Sequence, residues 1–317
     1  MSQTNDVLTN RHDVLLLFEV TNGNPNGDPD AGNMPRLDPN TNRGIVSDVC
    51  LKRKVRNFVE TFPPERISTD GNGYNLFIRQ GAVLNNEINN GIEKSGESLA
   101  SSASKAQRQE AAMKWLCREF FDVRAFGGVL STGADIMKGS AWGQVRGPVQ
   151  FTFGQSYHPI TPLEISITRG AVTKEEDIEK ERTMGNKHIV PYALYAAKVY
   201  ISPAFAERTH FTIADLEVLF DALNHMFEHD RSAARGEMVV RGIYDFEHIG
   251  TQHENNTEQN RREARLGCAH AHKLFDGIDV QLKDGMEFPQ SFADYDIVCE
   301  WDGEGLPPGV RLNKRHE

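Results

Sequence analysis

The chain has 317 residues, 38% of them hydrophobic, and a formal net charge of −10 at pH 7. A chain of this length can bury a sizeable core, in one elaborated domain or in two. No apolar run approaches the ~20 residues of a membrane span, and the N-terminus lacks the basic and apolar regions of a signal peptide. The four cysteines form no CxxC pair, which argues against a disulfide framework and a thiolate zinc site. We therefore expect a cytoplasmic protein without a membrane partner.

The first predicted elements are a strand, a loop and a helix. The run VLLLFEV at residues 14–20 is too short for a lone helix and too apolar for a solvated loop, so it predicts a mostly buried strand. The next stretch is dense in Asn, Gly, Pro and Asp, which fix backbone turns. We expect residues 22–30 to form a rigid loop that places functional groups. A helix is predicted from the N-cap Ser47, with Asp48 in its first turn, to Pro63.

This helix has a predicted apolar stripe and a predicted cationic face. The apolar side chains that share one stripe are Leu51, Val55, Phe58, Val59 and Phe62. The cations outside the stripe are Lys52, Arg53, Lys54 and Arg56. Residues 36–66 carry seven Lys or Arg against four Asp or Glu, so a local cationic patch on an acidic chain indicates an anionic partner. The alternative interpretation is a solvated charged helix face.

Further elements alternate along the rest of the chain. Predicted strands cover residues 75–79, 149–153, 163–169, 238–246 and 297–301. A helix is predicted over 105–121, and another begins at a capping box made by Thr212 and Asp215. Residues 91–104 are predicted to be a mobile loop, and the charged segment 173–182 to be helical or mobile. The alternation predicts an α/β or α+β architecture without internal repeats.

Two clusters could bind a metal. His225, Glu228 and His229 match HxxEH, the pattern of inverted zinc peptidases, and a zinc hydrolase is therefore one alternative function. On a helical wheel of the helix that begins at Thr212, both histidines lie opposite that helix's own apolar side chains and face solvent. No motif marks a third ligand for a metal. The second cluster, Cys268 to His272, has no paired motif elsewhere. We predict no metal site, no cofactor and no catalytic residue.

Several long motifs resemble one known family. GNPNGDPDAGNMPRLD and SDVCLKRKVRNF, with DVRAFGGVL, GPVQFTF, TMGNKHIVPYALY and HDRSAARGEM, closely resemble the CRISPR-associated backbone protein of type I-C Cascade, a member of the RAMP superfamily. The resemblance implies an α+β fold with an RRM-like (ferredoxin-like) palm and large insertions that form fingers and a thumb. It implies a single elaborated domain over residues 1–317, with insertions at approximately 63–125 and 170–205.

The resemblance also implies a non-catalytic subunit that binds CRISPR RNA (crRNA) and polymerises along it. The implied partners are crRNA, target DNA through the guide, further copies of the chain, other Cascade subunits and a helicase-nuclease recruited by the complex. The predicted first strand carries only Phe18 where an RRM carries its stacking aromatics, so we expect contact with the RNA backbone rather than base stacking on the sheet. An RNA-cleaving RAMP relative is the second alternative function.

Residue by residue, the resemblance implies RNA contacts around the helix. Lys52, Arg53 and Arg56 match the family's helix that runs under the RNA backbone, and Arg36 matches the loop before it. Three residues match the family's signature loop, which has either a structural or inter-subunit role or an RNA contact: Asn24, Asn26 and Asp28.

Two further segments carry implied RNA-binding residues. Met184, Lys187 and His188 lie in the segment that resembles the thumb and its base. Met184 either wedges beside a displaced base or packs in the core. Arg231 and Arg235, in HDRSAARGEM, contact either RNA or a neighbouring subunit.

Overall fold

A computed structural model describes residues 6–64, 71–131, 137–168, 170–171, 174, 184–255, 257–303 and 305–316. The strands are β1 (His12–Gly23), β2 (Gly27–Asp28), β3 (Met34–Pro35), β4 (Arg43–Val46), β5 (Gly127–Val129), β6 (Gln144–Arg146), β7 (Val149–Phe151), β8 (Gly154–Pro159), β9 (Leu163–Thr168), β10 (Met184–Ile201), β11 (Glu237–His248), β12 (Ile278–Leu282), β13 (Tyr295–Cys299) and β14 (Val310–Lys314). The α-helices are α1 (Asp48–Thr61), α2 (Leu84–Gly96), α3 (Lys105–Glu119), α4 (Phe121–Phe126), α5 (Pro203–Thr209), α6 (Ile213–His225), α7 (Glu258–Leu266) and α8 (Ala271–Asp276). Within these ranges, no helix has the length and apolarity needed to cross a membrane.

The main sheet is built around β1. It runs in the order β14–β11–β1–β10–β8–β4, and β7 and β9 also pair with β10. Strand β1 is antiparallel to both β11 and β10, and β8 is antiparallel to β10. Along the chain the central elements follow the order β1, α1, β8, β10, α6, β11. The fold is therefore a mixed α+β arrangement, and the predicted strand at residues 14–20 is its central element.

The range predicted for the second insertion, 170–205, includes residues that pair with β1 in the main sheet. Residues 190–201 of β10 pair with β1 along almost its whole length, from Gly23 opposite Val190 to His12 opposite Ile201. This stretch is a central strand of the main sheet, and its nearly continuous apolar sequence is typical of a strand buried on both faces.

Both faces of β1 are covered. Residues 12–20 are all buried. Alternate side chains, among them Leu16 and Phe18, pack in one cluster with α1 and α6. Leu15 and Leu17 point the other way and pack with α8, β12 and β14. The C-terminal segments therefore close the sheet face opposite the two helices.

The helices α2, α3 and α4 form a helical unit over residues 71–131. Contrary to the predicted mobile loop at 91–104, residues 84–96 form α2. At Gly91 a Cβ atom would lie 2.9 Å from the Leu116 side chain, so glycine permits α2 to pack closely on α3. The polar sequence of α2 conceals this packing, because only Ile88, Gly91 and Ser95 are buried in it.

The remaining predictions agree with the structure in most places. Four predicted strands are confirmed within about two residues, as β7, β9, β11 and β13. The predicted strand at 75–79 is wrong, because Asn75 makes only an isolated bridge to Phe120. The capping box is confirmed, since the Asp215 backbone N–H donates to Thr212 Oγ1 and Asp215 Oδ2 accepts from the Thr212 N–H. The predicted helical or mobile segment 173–182 lies, apart from residue 174, outside the described residues.

Candidate nucleic-acid interface

Four segments from different parts of the chain lie against one another around α1. They are the signature loop (residues 22–36), α1 itself, the start of β10 (184–190) and the hairpin 230–236. Asn24 donates its backbone N–H to the Ala234 carbonyl over 2.6 Å. Lys187 Nζ donates to the Ala233 carbonyl over 3.3 Å. We call these four segments the signature-loop cluster, and they contain every residue for which the sequence predicts an RNA contact.

The signature loop is fastened to the start of α1 by Asn26. Its Oδ1 accepts hydrogen bonds from the Ser47 backbone N–H at 2.9 Å and from Ser47 Oγ at 2.8 Å. Ser47 is the N-cap of α1, as predicted, but its hydroxyl makes no capping bond to the helix. Asn24 is buried and donates its Nδ2 to the Asn33 carbonyl over 2.7 Å. Asn26 therefore connects the signature loop to the start of α1, and Asn24 connects two parts of the loop itself.

Arg36 and Asp28 form the exposed edge of this loop. Arg36 Nη1 lies 3.3 Å from Asp28 Oδ2, and about a third of each side chain is exposed. Arg36 Nε is buried and has no partner among the described residues. A ligand cannot reach the buried Nε, but an anion can contact the partly exposed end of the guanidinium beside Asp28.

The predicted cationic face of α1 is wrong for two of its four residues. Lys54 and Arg56 are buried. Lys54 Nζ pairs with Asp230, and Arg56 Nε donates to Asp122 Oδ2 over 2.8 Å. The hairpin after α6 and the helix α4 supply these carboxylates. They cover faces of α1 that the helical wheel, with one apolar stripe, predicted to be exposed.

The other two cations of α1 remain partly exposed. Lys52 pairs with Asp48 at i, i+4 over 3.0 Å, and such a surface pair contributes at most about 1 kcal/mol. Arg53 makes no ion pair or hydrogen bond with any residue that the structure describes. Arg53 can therefore meet a polyanion at little cost to the fold, whereas Lys52, whose side chain is 14% exposed, is less accessible.

Asp230 organises the hairpin side of the cluster. Besides Lys54, it accepts hydrogen bonds from Arg235 Nε at 2.9 Å and from Asn57 Nδ2 at 3.3 Å. Arg235 is therefore held against the protein. Arg231 is exposed and pairs only with Glu228, at 2.6 Å, among the described residues. Of the two predicted arginines, Arg231 is the more accessible to a ligand.

The predicted thumb segment forms a two-stranded hairpin. Residues 184–189 of β10 pair with 168–163 of β9. Lys187 and His188 are partly exposed. Met184 lies opposite Thr168, and its side chain lies outside the described part of the structure.

The HxxEH residues face solvent, as predicted. Helix α6 ends at His225, so the motif does not lie on one continuous helix. His225 and His229 are exposed, and their rings lie against Phe58 at 6.0 Å and Phe62 at 4.3 Å. Phe62 is 46% exposed, so its predicted place in the buried stripe is wrong. Among the described residues, no three His, Cys, Asp or Glu are grouped to hold a metal.

The sequence analysis missed the buried carboxylates that organise this region. Asp122 accepts from Arg56 and from the backbone N–H groups of Phe77 and Ile78, at 2.8 and 3.0 Å. Arg124, fully buried, donates to both oxygens of Asp215 at 2.9 and 2.7 Å. The segment FDVRAF did contain a signal for buried ion pairs. Asp122 and Arg124 lie inside an apolar run, and charged residues are buried in such a run only when they are paired.

Comparisons with known proteins identify related sequences and structures. Residues 10–300 match the family described as CRISPR-associated protein Cas7. A CRISPR-associated protein Cas7 of Haloferax volcanii is 26% identical over 222 residues, which cover 66% of this chain and 62% of that protein. The chain thus spans less than two thirds of that relative's length.

Solved structures are similar at lower identity. A CRISPR RNA-guided surveillance complex contains a chain with a TM-score of 0.43 and 14% identity, covering 74% of this chain and 68% of that one. The pre-nicking form of such a complex gives a TM-score of 0.47 and 15% identity, with coverages of 74% and 75%.

Proposed function

Because the chain belongs to the Cas7 family of CRISPR-associated proteins, we propose that it is a non-catalytic, crRNA-binding backbone subunit of a type I-C Cascade surveillance complex. In this role it polymerises along the guide RNA and presents it for pairing with target DNA in antiviral defence. The observation that carries the proposal is the convergence of four sequence-distant segments, with their partly exposed cations, in the signature-loop cluster.

The palm of this subunit is RRM-like. The strand order β11–β1–β10–β8, with α1 and α6 packed on one face, supports this assignment, because it matches the β-α-β-β-α-β pattern of ferredoxin-like folds. The helical unit 71–131 corresponds to the fingers, and the β9–β10 hairpin to the thumb. The C-terminal segments cover the sheet face over β1, so RNA is held beside the palm.

The binding mode is phosphate neutralisation. Arg36, Lys52 and Arg53 offer cationic groups on one side of the cluster, and Lys187 and Arg231 offer them on the other. Such groups pair with phosphates without reading bases, as a protein that must accept any guide sequence requires. Arg56 and Lys54 are buried and paired with carboxylates, so they stabilise the fold of the signature-loop cluster.

Affinity for RNA comes from many copies on one strand. One subunit supplies only a few phosphate contacts, and such contacts alone give weak binding at physiological salt. Residues 284–310 carry seven Asp or Glu and no Lys or Arg, and this acidic segment can meet the basic cluster of a neighbour. A head-to-tail contact of that kind generates an open helical filament. Other Cascade subunits and a recruited helicase-nuclease then join the assembled complex.

The test is size-exclusion chromatography of the purified chain with RNAs of increasing length. We expect the number of subunits per RNA to rise with RNA length. Incubation with Mg²⁺ or Mn²⁺, followed by gel analysis, should leave the RNA intact. A constant stoichiometry would contradict the filament, and regularly spaced RNA fragments would favour the RNA-cleaving alternative.

A further inference from the structure

A cleft remote from the signature-loop cluster has the composition of a single-stranded nucleic-acid site. It lies between the α2–α3 hairpin and the turn that joins α5 to α6, with a volume of about 720 Å³. A crevice of about 20 Å³, lined by Trp142, Arg146 and Arg208, adjoins it through Thr209, which lines both. We call the two together the tryptophan cleft.

The tryptophan cleft and the signature-loop cluster lie at opposite ends of α6. Thr212, which caps the N-terminus of α6, lines the cleft. Asp230, the centre of the hairpin side of the cluster, follows the C-terminus of the same helix. Since α6 has 13 residues, its length separates the two places by about 20 Å.

The cleft is cationic. Its walls carry five Lys or Arg and one carboxylate, Glu97. The five cations are Lys94, Lys114, Arg118, Arg146 and Arg208. Three of them make exposed ion pairs: Lys94–Glu97, Lys114–Glu110 and Arg118–Glu119. Such pairs contribute little and exchange readily for another anion, and Arg208 has no ion pair with the described residues. Even with all three carboxylates counted, cations are in excess, on a chain whose net charge is −10.

Two of the three tryptophans of the chain line the cleft. Trp115 lines the larger part and Trp142 the crevice, and both are partly exposed while packing against the core of the helical unit. By contrast, Trp301 donates its indole N–H to the Leu274 carbonyl over 2.8 Å within the C-terminal layer. Aromatic faces beside Lys and Arg are the combination by which proteins bind single strands, since bases stack on the rings and phosphates pair with the cations.

We propose that the tryptophan cleft binds a short stretch of single-stranded nucleic acid, with a base on Trp115 and phosphates on Arg118 and on the exposed Arg208. The larger part of the cleft, at about 720 Å³, lies within the range of about 300–1,000 Å³ typical of ligand sites. This site is additional to the cluster that we propose for crRNA, and it does not depend on that proposal. It gives the protein a further surface for single-stranded nucleic acid.

The test uses full-length protein with its co-purified RNA. The probe is a fluorescein-labelled DNA strand of mixed sequence, about 12 nucleotides long, that carries 5-bromodeoxyuridine. Fluorescence anisotropy measures affinity, and ultraviolet irradiation followed by peptide mapping locates the contact. We expect Trp115→Ala and Arg208→Ala each to weaken binding about five- to tenfold, and Trp115→Phe to retain most of it. Lys283→Ala, which removes an exposed cation elsewhere, is the matched control.

Crosslinks to peptides that contain Trp115 or Trp142 would support the proposal. Crosslinks confined to the signature-loop cluster, or unchanged affinity in both alanine variants, would overturn it. Displacement of the probe by an acidic peptide but not by unlabelled DNA would also overturn it, in favour of a protein partner. If Trp115→Ala fails to fold by circular dichroism, the exposed Arg208 variant and the crosslink map decide.

Discussion

Two arginines three residues apart in α1 have different environments. Arg53 is partly exposed and has no partner among the described residues, whereas Arg56 is buried against Asp122. A ligand can reach the first guanidinium, but the second would have to leave a buried carboxylate behind. Their substitution should therefore affect different properties of the protein.

Arg53→Ala should weaken RNA binding equally for all guide sequences, because a phosphate contact carries no base information. The slope of log affinity against log salt should fall by about 1, the value of one lost phosphate contact. Fluorescence anisotropy across a salt series measures both. Arg311→Ala, an exposed cation on β14, is the control. A loss that varies with RNA sequence, or an unchanged slope, would contradict the prediction.

Arg56→Ala should mainly destabilise the fold. Removing one partner of a buried ion pair costs about 3–5 kcal/mol, and we expect the low end, because Asp122 keeps its two backbone N–H donors. Urea denaturation gives the change in the free energy of unfolding. Arg56→Lys, which keeps a cation beside Asp122 and leaves its backbone hydrogen bonds intact, should recover part of the loss. Wild-type stability together with a reduced salt slope would show instead that Arg56 binds RNA directly.

At the scale of elements, the signature loop and α1 form one unit. Asn26 Oδ1 accepts hydrogen bonds from both the N–H and the hydroxyl of Ser47, so the Ser47 side chain binds the loop and makes no capping bond to the helix. The loop then positions Arg36, whose N–H donates to the Asn26 carbonyl over 3.3 Å. A loop attached in this way moves only if the start of α1 moves with it.

Asn26→Ala should loosen the loop. The substitution leaves the Ser47 donors without their acceptor, a loss of about 1 kcal/mol for each hydrogen bond. Hydrogen–deuterium exchange should accelerate in residues 22–36 and in the first turn of α1, with little change in β11. Asn40→Ala, in an exposed position of the following loop, should leave exchange unchanged. Equal exchange in the two variants would exclude the fastening role of Asn26.

At the scale of the whole molecule, buried ion pairs connect the parts of the fold. Arg56–Asp122 and Arg124–Asp215 attach the helical unit 71–131 to α1 and α6. On the same side of the sheet as α6, Asp245 of β11 joins β1 to the segment after β14, because its carboxylate contacts His12 at 2.8 Å and Arg315 at 3.1 Å. Burial alone would raise the pKa of Asp245, but His12, Arg315 and Asn313 hold it below the ordinary value of 3.8.

The lowered pKa of Asp245 predicts the pH dependence of its contribution to stability. The unfolded chain binds the proton more tightly, so the contribution is fully present above 3.8 and is lost as the pH falls through the lower pKa of the folded state. Asp245→Asn should therefore be less stable than wild type at about pH 7, and the two should converge in acid. Urea denaturation across pH measures the difference. A difference that persists below the folded pKa would contradict this assignment.

Local patterns in the sequence were sufficient for the elements that hold the fold together. The apolar run of β1, the boundaries of α1 and the capping box of α6 depend on neighbours within a few residues, and all three are confirmed. The signature motifs also identified the family without knowledge of the fold. The strand at 75–79 failed because the N–H groups of Phe77 and Ile78 donate to Asp122 and not to a neighbouring strand. The loop at 91–104 failed at its start because the polar helix α2 is held by packing against α3.

The exposure of the site residues was decided by tertiary structure alone. Arg56 and Lys54 meet carboxylates 66 and 176 residues away in the chain, and no helical wheel contains that information. A wheel shows which side chains share a face of a helix. Whether that face meets water, a buried Asp or an RNA phosphate depends on the elements that pack beside it, and these are brought there by the sheet.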